Sequence, residues 1–314
     1  MHPAFSVIFF TTATGAGYGL LVMLGTLTAV GHLAASQAFR IISLGTALVL
    51  ITAGLLSSTM HLGHPERAWR ALSQWRSSWL SREGIASVVT YIPAGVFGIL
   101  WIFGGEVGVG AAIAGLIMAA CAIATLVTTG MIYASLKPIA QWHSTYTMPA
   151  YIIYGLMSGA VLLQGLLHAS GSPTRVATWI AIALTVIGLI WKAATWRHND
   201  AIGDVVSAAS ATGLGKGSVR SIEWPHSEEN FVMKEMGYRI ARKHAIKLRL
   251  FVQLFAFACP LALLALSLML APATAAMAAL AAVVAQGLGL LVERWLFFAE
   301  ARHTVMLYYG SRQA

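Results

Sequence analysis

Residues 111–133 read AAIAGLIMAACAIATLVTTGMIY, a run without any charged side chain. A helix that crosses the hydrocarbon core of a bilayer needs about 20 consecutive, mostly apolar residues. This run is long enough, and it is apolar on all sides rather than along one stripe, as a buried or membrane helix is. We therefore predict that it spans a membrane, and we interpret the rest of the chain outward from it.

The same pattern recurs along the whole chain. Of its 314 residues, 58% are hydrophobic and 10% are charged, whereas soluble domains have about 25% charged residues. This composition excludes an ordinary water-soluble enzyme. It predicts an all-α, polytopic membrane protein, an eight-helix bundle forming a single domain over residues 1–314. The predicted spans 1 to 8 are residues 9–31, 41–60, 85–103, 111–133, 149–167, 174–196, 250–270 and 273–298.

Basic residues lie almost entirely on one side of this predicted bundle. Of the 20 Lys and Arg residues, all but Arg40 and Arg175 lie on this side. They belong to the loops after spans 2, 4 and 6, to the C-terminal tail or to the end of span 8. Lys192 is counted here with the loop after span 6. Because loops rich in Lys and Arg stay in the cytoplasm, we expect a bacterial inner-membrane protein with both termini cytoplasmic. The net charge of +9 then reflects topology and not nucleic-acid binding, although a docked partner would also favour a basic face.

Two basic loops are longer than a simple connection requires. In the first, Pro65 suits the first turn of a short helix along the membrane interface. The second, residues 197–249, is expected to dock a soluble subunit because it combines apolar anchors with cations. The assigned docking residues are Trp224, Phe231, Met236, Arg239, Arg242 and Lys243. A solvated helix that contacts anionic lipids is the alternative.

Span 8 carries ionisable groups, which are costly inside a membrane unless they are paired or face a polar cavity. Gln286, Glu293 and Glu300 recur at seven-residue spacing on one helix face, and His303 follows them. Adjacent side chains on a helix point about 100° apart, so we expect Glu293 to find its partner on another helix and not in Arg294. A structural ion pair and the polar wall of a small-molecule pocket both fit this pattern.

Further polar residues are predicted at the same depth, at the cytoplasmic ends of spans 2, 3 and 4. Reduction of a quinone needs hydrogen-bond donors for two carbonyl oxygens and two protons from carboxyl or imidazole groups. Its tail needs an apolar gap between helices. Residues of these types meet at this depth. The candidate quinone-binding and proton-delivery residues are His61, Arg67, Arg82, Glu83, Tyr133, His143, Glu293 and His303.

The histidines and cysteines do not form a pattern typical of a haem or metal site. A membrane b-type haem usually needs two His that face each other from different spans, but the histidines here lie at span ends. Cys121 and Cys259 are isolated within apolar runs, without metal-ligand spacing. We expect neither haem nor metal, with haem between end-of-span histidines left as an alternative. A secondary transporter is the rival class, disfavoured because no Gly/Pro-broken spans recur in the two halves.

Two short motifs carry a family resemblance. HLGHPERA at residues 61–68 and LSRE at residues 80–83 resemble the membrane-anchor subunits of the dimethyl sulfoxide reductase family, which carry HLGxPxRA after the second span and S-x-E before the third. Three longer stretches are similar to anchors of cytoplasmic sulfite dehydrogenase complexes. They are MHPAFSVIFFTTATGAGYGLL at 1–21, GMIYASLKPIAQWH at 130–143 and ERWLFFAEARHTVMLYYG at 293–310, with EENFVMKEMGYRIARKHA at 228–245 in addition.

The resemblance implies a complex of three subunits. A molybdopterin subunit would oxidise sulfite, a subunit with [4Fe–4S] clusters would relay electrons, and the anchor, without haem, would pass them to ubiquinone or menaquinone. It also implies that His61 and Glu83 bind quinone; a role for Arg82 is our inference, because relatives vary there. Reductases of the family generally face outward, so the inward basic loops favour sulfite oxidation. Two alternatives stay open: a reductase anchor fed by menaquinol, and a pure anchor without a quinone site.

Overall fold

The computed structural model describes residues 5–33, 36–60, 62, 64–104, 108–203, 207–213, 219, 222–223 and 243–308. Eight helices in it are long and apolar enough to cross a membrane, which confirms the predicted fold class. They are α1 (Phe5–Ala29), α2 (Gln37–Thr59), α3 (Trp79–Phe103), α4 (Val109–Ala134), α5 (Thr147–Ala169), α6 (Arg175–Ala201), α7 (Ala245–Ser267) and α8 (Pro272–Ala299). The other described elements are a 3₁₀-helix at Pro65–Gln74 and short helices at Ala208–Thr212 and Val305–Tyr308.

Short polar residues and glycines set several helix ends. Ser36, Ser78 and Thr174 precede α2, α3 and α6, and each hydroxyl accepts a hydrogen bond from the backbone N–H three residues later, at 3.2–3.4 Å. These bonds satisfy donors that a first helical turn leaves unpaired. Gly31 and Gly171 follow α1 and α5 with φ of 73° and 70°, a left-handed conformation that costs glycine little.

Helices α1 and α5 form the centre of the bundle. In each of them, 72% of the span is buried by neighbouring helices. A Cβ atom at Gly19 of α1 would collide with the carbonyl oxygen of Gly155 of α5, and one at Gly159 would collide with the backbone of Gly19. Small residues let membrane helices approach this closely. Helices α2, α4 and α8 pack around the central pair.

The outer helices turn large apolar side chains away from the protein. Exposed residues of this kind occur on α2, α3 and α6, for example Val49, Ile92 and Ile190, each about two-thirds exposed. Such rows would be an aggregation hazard in water, but hydrocarbon solvates them. The outer faces therefore fit a surface in contact with lipid.

Helix α7 contains one widened turn, a π-helical segment at Gln253–Ala258. Pro260 has no N–H to bond with the carbonyl oxygen of Ala256 four residues earlier, and its ring crowds that oxygen. The Gln286 amide of α8 donates to this oxygen instead, at 3.4 Å. The turn therefore fixes a buried amide group of α8 at the α7–α8 contact.

Candidate functional site

Glu83 lies one turn inside α3 and is buried. Ser78 caps α3, and this start of the helix directs Glu83 toward α4. There, the Thr129 hydroxyl donates to Glu83 Oε1 at 2.5 Å. This bond satisfies a buried carboxyl oxygen, which would be costly to leave without a donor. The predicted acid is thus held in place by a hydroxyl donor on the neighbouring helix.

Tyr133, at the end of α4, belongs to an aromatic cluster. Its ring stacks on Tyr151 of α5 with 5.5 Å between centroids, and it packs edge-on against Trp142 and Phe297, each at 5.3 Å. Trp142 Nε1 donates to the Phe297 carbonyl oxygen at 3.0 Å, and the His303 ring packs edge-on against Trp142 at 5.2 Å. The structure thus brings two predicted site residues, Tyr133 and His303, into contact with the same tryptophan.

Glu293 is the centre of a buried ion cluster, which consists of Lys192, Glu293 and Arg294. Lys192 Nζ lies 2.5 Å from Glu293 Oε1, Arg294 Nε lies 2.7 Å from Oε2, and no member has a side chain more than 5% exposed. Lys192 on α6 is the expected partner from another helix. Arg294 turns back toward Glu293, contrary to our expectation from helix geometry. Counting Lys192 with the basic loop is wrong, because α6 continues to Ala201 and places Lys192 about two and a half turns before its end.

The Arg294 guanidinium connects this ion cluster with the aromatic rings. Its central carbon lies 4.4 Å from the Tyr151 ring centroid and 5.2 Å from that of Tyr154. A cation over aromatic faces gains electrostatic attraction, most of all where water is excluded. Arg294 is therefore fixed between α5 and α8.

Two small polar cavities adjoin Arg294, each of about 20 Å³. The polar residues of the inner cavity are Thr11, Thr12, Thr14, Thr129, Tyr151, Tyr154, Ser158 and Arg294. The outer cavity lies nearer the helix ends that carry the basic loops, which we name the basic end. Its polar residues include Gln141, Thr147, Tyr154, Lys192, Thr195, Asn199, Glu293, Arg294 and Glu300. Each cavity has room for about one water molecule, and Tyr154 and Arg294 line both.

An apolar groove of about 240 Å³ lies beside the inner cavity, between α1, α2, α5 and α8. Its walls are mostly aliphatic, and Phe9 at one side is 42% exposed. Thr12, Ser158 and Leu290 line both this groove and the inner cavity, and Gln286 adds a buried amide. The groove therefore ends on polar groups, an arrangement suited to a ligand with an apolar tail and a polar ring.

The two predicted arginines do not line either cavity. Arg82 donates to the carbonyl oxygens of Trp75 and Arg76 at 2.8 Å each, and its guanidinium lies 4.2 Å from the Trp79 ring centroid. It satisfies carbonyl groups just beyond the 3₁₀-helix, a common use of arginine near helix ends. Arg67 is exposed and lies 3.7 Å from a neighbouring carboxylate. Both arginines fit the interface segment and not the cavities.

The remaining predicted residues lie at the surface or outside the described residues. His143 is exposed, with Nδ1 at 2.7 Å from the carbonyl oxygen of Ala134. Lys243, of the predicted docking set, is also exposed. Outside the described residues lie His61, Trp224, Phe231, Met236, Arg239 and Arg242.

Three central residues were not among the sequence-based candidates: Thr129, Tyr154 and Lys192. Lys192 did carry a signal, because an ionisable residue inside a predicted span requires a partner. Thr129 and Tyr154 carried none, since uncharged hydroxyl residues fit almost anywhere in a membrane helix. Only the packing of α4 and α5 against α1 and α8 brings them to the cavities.

The fold and the site define a polytopic α-helical membrane protein with a buried polar site near one end of its bundle. The model of the DMSO reductase anchor subunit (DmsC) family matches residues 1–299, and the chain belongs to that family. It is 35% identical over 327 residues to a sulfite dehydrogenase subunit of Allochromatium vinosum, covering 99% of both chains. It is also 26% identical over 122 residues to the anaerobic dimethyl sulfoxide reductase chain YnfH of Escherichia coli, covering 39% of this chain and 43% of the relative. The protein is thus the membrane-anchor subunit of an oxidoreductase complex.

Proposed function

We propose that the chain is the quinone-binding anchor of a sulfite:quinone oxidoreductase. The similarity to a sulfite dehydrogenase subunit over 99% of both chains supports sulfite as the electron donor. A molybdopterin subunit oxidises sulfite, an iron–sulfur subunit with [4Fe–4S] clusters relays the electrons, and this anchor delivers them to membrane ubiquinone or menaquinone. The anchor itself has no role in the chemistry of sulfite.

The quinone part of the proposal depends on one observation, the apolar groove that ends on the polar groups of the inner cavity. Its volume of about 240 Å³ is close to the lower end of the range of about 300–1,000 Å³ for small-molecule sites. The isoprenoid tail would lie along the aliphatic walls, and the ring would meet Thr12, Ser158 and Gln286. One N–H of Gln286 bonds to Ala256, which leaves the second for a quinone oxygen.

Glu83 supplies a proton in this proposal. Reduction adds two electrons and two protons to the quinone, so that each carbonyl oxygen becomes a hydroxyl. The carboxyl of Glu83 bonds to Thr129, which lines the inner cavity, and a single hydroxyl therefore separates the acid from the cavity. His61 is assigned to the same task on the family resemblance alone.

We assign the basic end to the cytoplasmic face of the bacterial inner membrane, with both termini in the cytoplasm. The support is the distribution of Lys and Arg: apart from Arg40, Arg175 and the buried Lys192, all of them belong to the loops, the tail or the helix ends of that end. Residues 197–249 then dock the iron–sulfur subunit from the cytoplasm. Electrons arrive at the same end of the bundle at which Glu83 and the two cavities lie.

Sulfite-dependent ubiquinone reduction by inside-out membrane vesicles tests the function. Vesicles with the complete complex should reduce ubiquinone, and vesicles from cells that lack this chain should not. Oxidation of sulfite with a soluble artificial acceptor should persist in the cytosolic fraction of the latter cells. Equal ubiquinone reduction with and without the chain would exclude the proposed role.

The location of the quinone can be tested at Gly287, which lines the groove. A Cβ at this position would meet no atom within 4 Å, so Gly287→Leu should fill the groove without disturbing the backbone. We expect a raised KM for quinone and an unchanged rate with the artificial acceptor. Gly95→Leu on α3 is the matched control, because a Cβ there has equal space. The same KM in both variants would mean that quinone binds elsewhere.

The second candidate function is the anchor of a dimethyl sulfoxide-type reductase, favoured by the similarity to YnfH over part of the chain. Electrons would then pass from menaquinol in the same groove to the partner subunits and on to an S-oxide. Membranes that reduce dimethyl sulfoxide with menaquinol, and that do not reduce quinone with sulfite, would establish this alternative.

A further inference from the structure

The outer cavity and the buried ion cluster have no part in the proposed quinone site or in proton delivery by Glu83. The outer cavity begins near the surface of the basic end, where Glu300 contributes to its wall. Arg249 Nε donates to Glu300 at 2.6 Å, and its Nη1 and Nη2 donate to the exposed Asp200 at 2.7 and 2.8 Å. A network of charged groups thus connects the surface with the outer cavity.

The buried ion cluster is not explained by stability alone. Lys192 and Arg294 provide two positive charges for one carboxylate, and all three side chains are buried. Well-packed apolar residues usually stabilise a protein as well as a buried ion pair does. Ionisable residues inside a membrane protein instead mark ion pathways and proton relays. The position of Glu293 beside a cavity of about 20 Å³, the size of a water molecule, fits a relay.

Tyr154 stands where the two cavities meet. It lines both, and its buried hydroxyl has no hydrogen-bond partner among the described residues. Buried hydroxyl groups in native proteins nearly always bond to protein or to ordered water. Water in either cavity is the natural partner here, and a hydroxyl can both donate and accept a proton. Tyr154 is therefore suited to pass a proton from one cavity to the other.

We propose that Glu293 and Tyr154 form a second proton route, from the basic end through the outer cavity to the inner cavity and the quinone. The proposal rests on the proposed quinone site. An excess proton enters the water of the outer cavity from the surface and passes to the Glu293 carboxylate, which leaves that water neutral. The proton then passes by Tyr154 to water in the inner cavity and from there to a quinone oxygen, so that Glu293 is again a carboxylate. One proton arrives by this route and one by Glu83, while two electrons come from the partner subunits. The quinone leaves as quinol, and both relay groups return to their starting state.

Tyr154→Phe is the first test, because it removes only a hydroxyl that has no partner among the described residues and should leave folding unchanged. In the assembled complex we expect kcat for quinone reduction to fall by at least about tenfold with an unchanged KM for quinone. The ratio of rates in H₂O and D₂O should rise as proton transfer becomes limiting. Tyr91→Phe is the control, a tyrosine of α3 whose hydroxyl bonds to Thr52 of α2 and which lines neither cavity nor groove.

Glu293→Gln is the second test, with co-purification of the partner subunits with the membrane-bound chain as the measure of correct assembly. Gln keeps an oxygen acceptor for Lys192 and removes the titratable group, so quinone reduction should slow as in Tyr154→Phe. Wild-type kcat in both variants would overturn the second route and leave the quinone site intact. A raised KM with normal kcat would also overturn it, because Tyr154 would then bind quinone and relay no proton. A wild-type complex that reduces no quinone would instead reject the proposed function itself.

Discussion

The Glu83 carboxyl group, which bonds to Thr129, has two properties that different substitutions can remove. The carboxyl group is a hydrogen-bond acceptor that holds α3 against α4, at 2.5 Å from the Thr129 hydroxyl. It is also an acid whose proton can leave. A glutamine at position 83 would keep the first property and lose the second, whereas a valine at position 129 would remove the donor and leave the acid.

Glu83→Gln should therefore preserve the assembled complex and slow quinone turnover by about 100-fold, the lower range for loss of an acid–base group. Thr129→Val should lower the free energy of unfolding by about 1–3 kcal/mol, because it leaves a buried carboxyl without its donor. Thermal melting of the purified complex and steady-state quinone reduction measure the two effects. Normal turnover in Glu83→Gln would remove Glu83 from the mechanism.

Glu293 shows which part of the buried ion cluster could be predicted from the sequence. Glu293 stood out because a carboxylate inside an apolar run requires a partner. The sequence did not identify that partner, since Lys192 is 101 positions away and meets Glu293 only through the packing of α6 against α8. The expectation that Arg294 points away fails for a related reason. A long, flexible side chain can return toward its neighbour when that neighbour is buried.

At the scale of helices, the centre of the bundle depends on glycines at the contact between α1 and α5. The backbones of α1 and α5 meet at Gly19, Gly155 and Gly159, and a Cβ at Gly19 or Gly159 would collide with the opposite backbone. This contact positions Ser158 of α5 and Thr12 of α1, which lie between the inner cavity and the groove. The candidate site thus depends on a contact well inside the bundle.

Gly159→Ala should push α1 and α5 apart and destabilise the protein by about 1–3 kcal/mol, as overpacking of a core does. Gly45→Ala on α2 is the control, because a Cβ there meets no atom within 4 Å and alanine favours a helix by about 0.5–1 kcal/mol. Thermal denaturation in detergent should therefore lower the midpoint for the first variant and keep or raise it for the second. Equal midpoints would show that the glycine contact is not tight in the membrane.

The helices themselves were predictable, because the length of an apolar run is enough to indicate a span. The widened turn of α7 was not. Pro260 predicts the loss of one backbone hydrogen bond within the helix. The shape of the turn, however, also depends on Gln286 of α8, which bonds to the freed oxygen of Ala256. The local sequence therefore predicts the lost hydrogen bond, and the contact with α8 determines that a widened turn results.

At the scale of the whole molecule, Glu83, both cavities and the buried ion cluster all lie in the half of the bundle nearer the basic end. In the proposed mechanism, such an arrangement shortens the distance that electrons travel from a docked partner to the quinone. It also places the site within a few helical turns of water, from which protons must come. The orientation of the chain in the membrane consequently determines the compartment from which the electrons and the protons come.

Two single-cysteine variants test that orientation, after the free Cys121 and Cys259 have been replaced by alanine. Ser77→Cys lies between α2 and α3 at the basic end, and Ser170→Cys lies just after α5 at the other end; both positions are exposed. Because Lys and Arg keep their loops in the cytoplasm, a membrane-impermeant maleimide should label only Ser170→Cys in spheroplasts. In inside-out vesicles it should label only Ser77→Cys. The reverse pattern would turn the basic end outward, and protons and electrons for the quinone would then come from outside the cytoplasm.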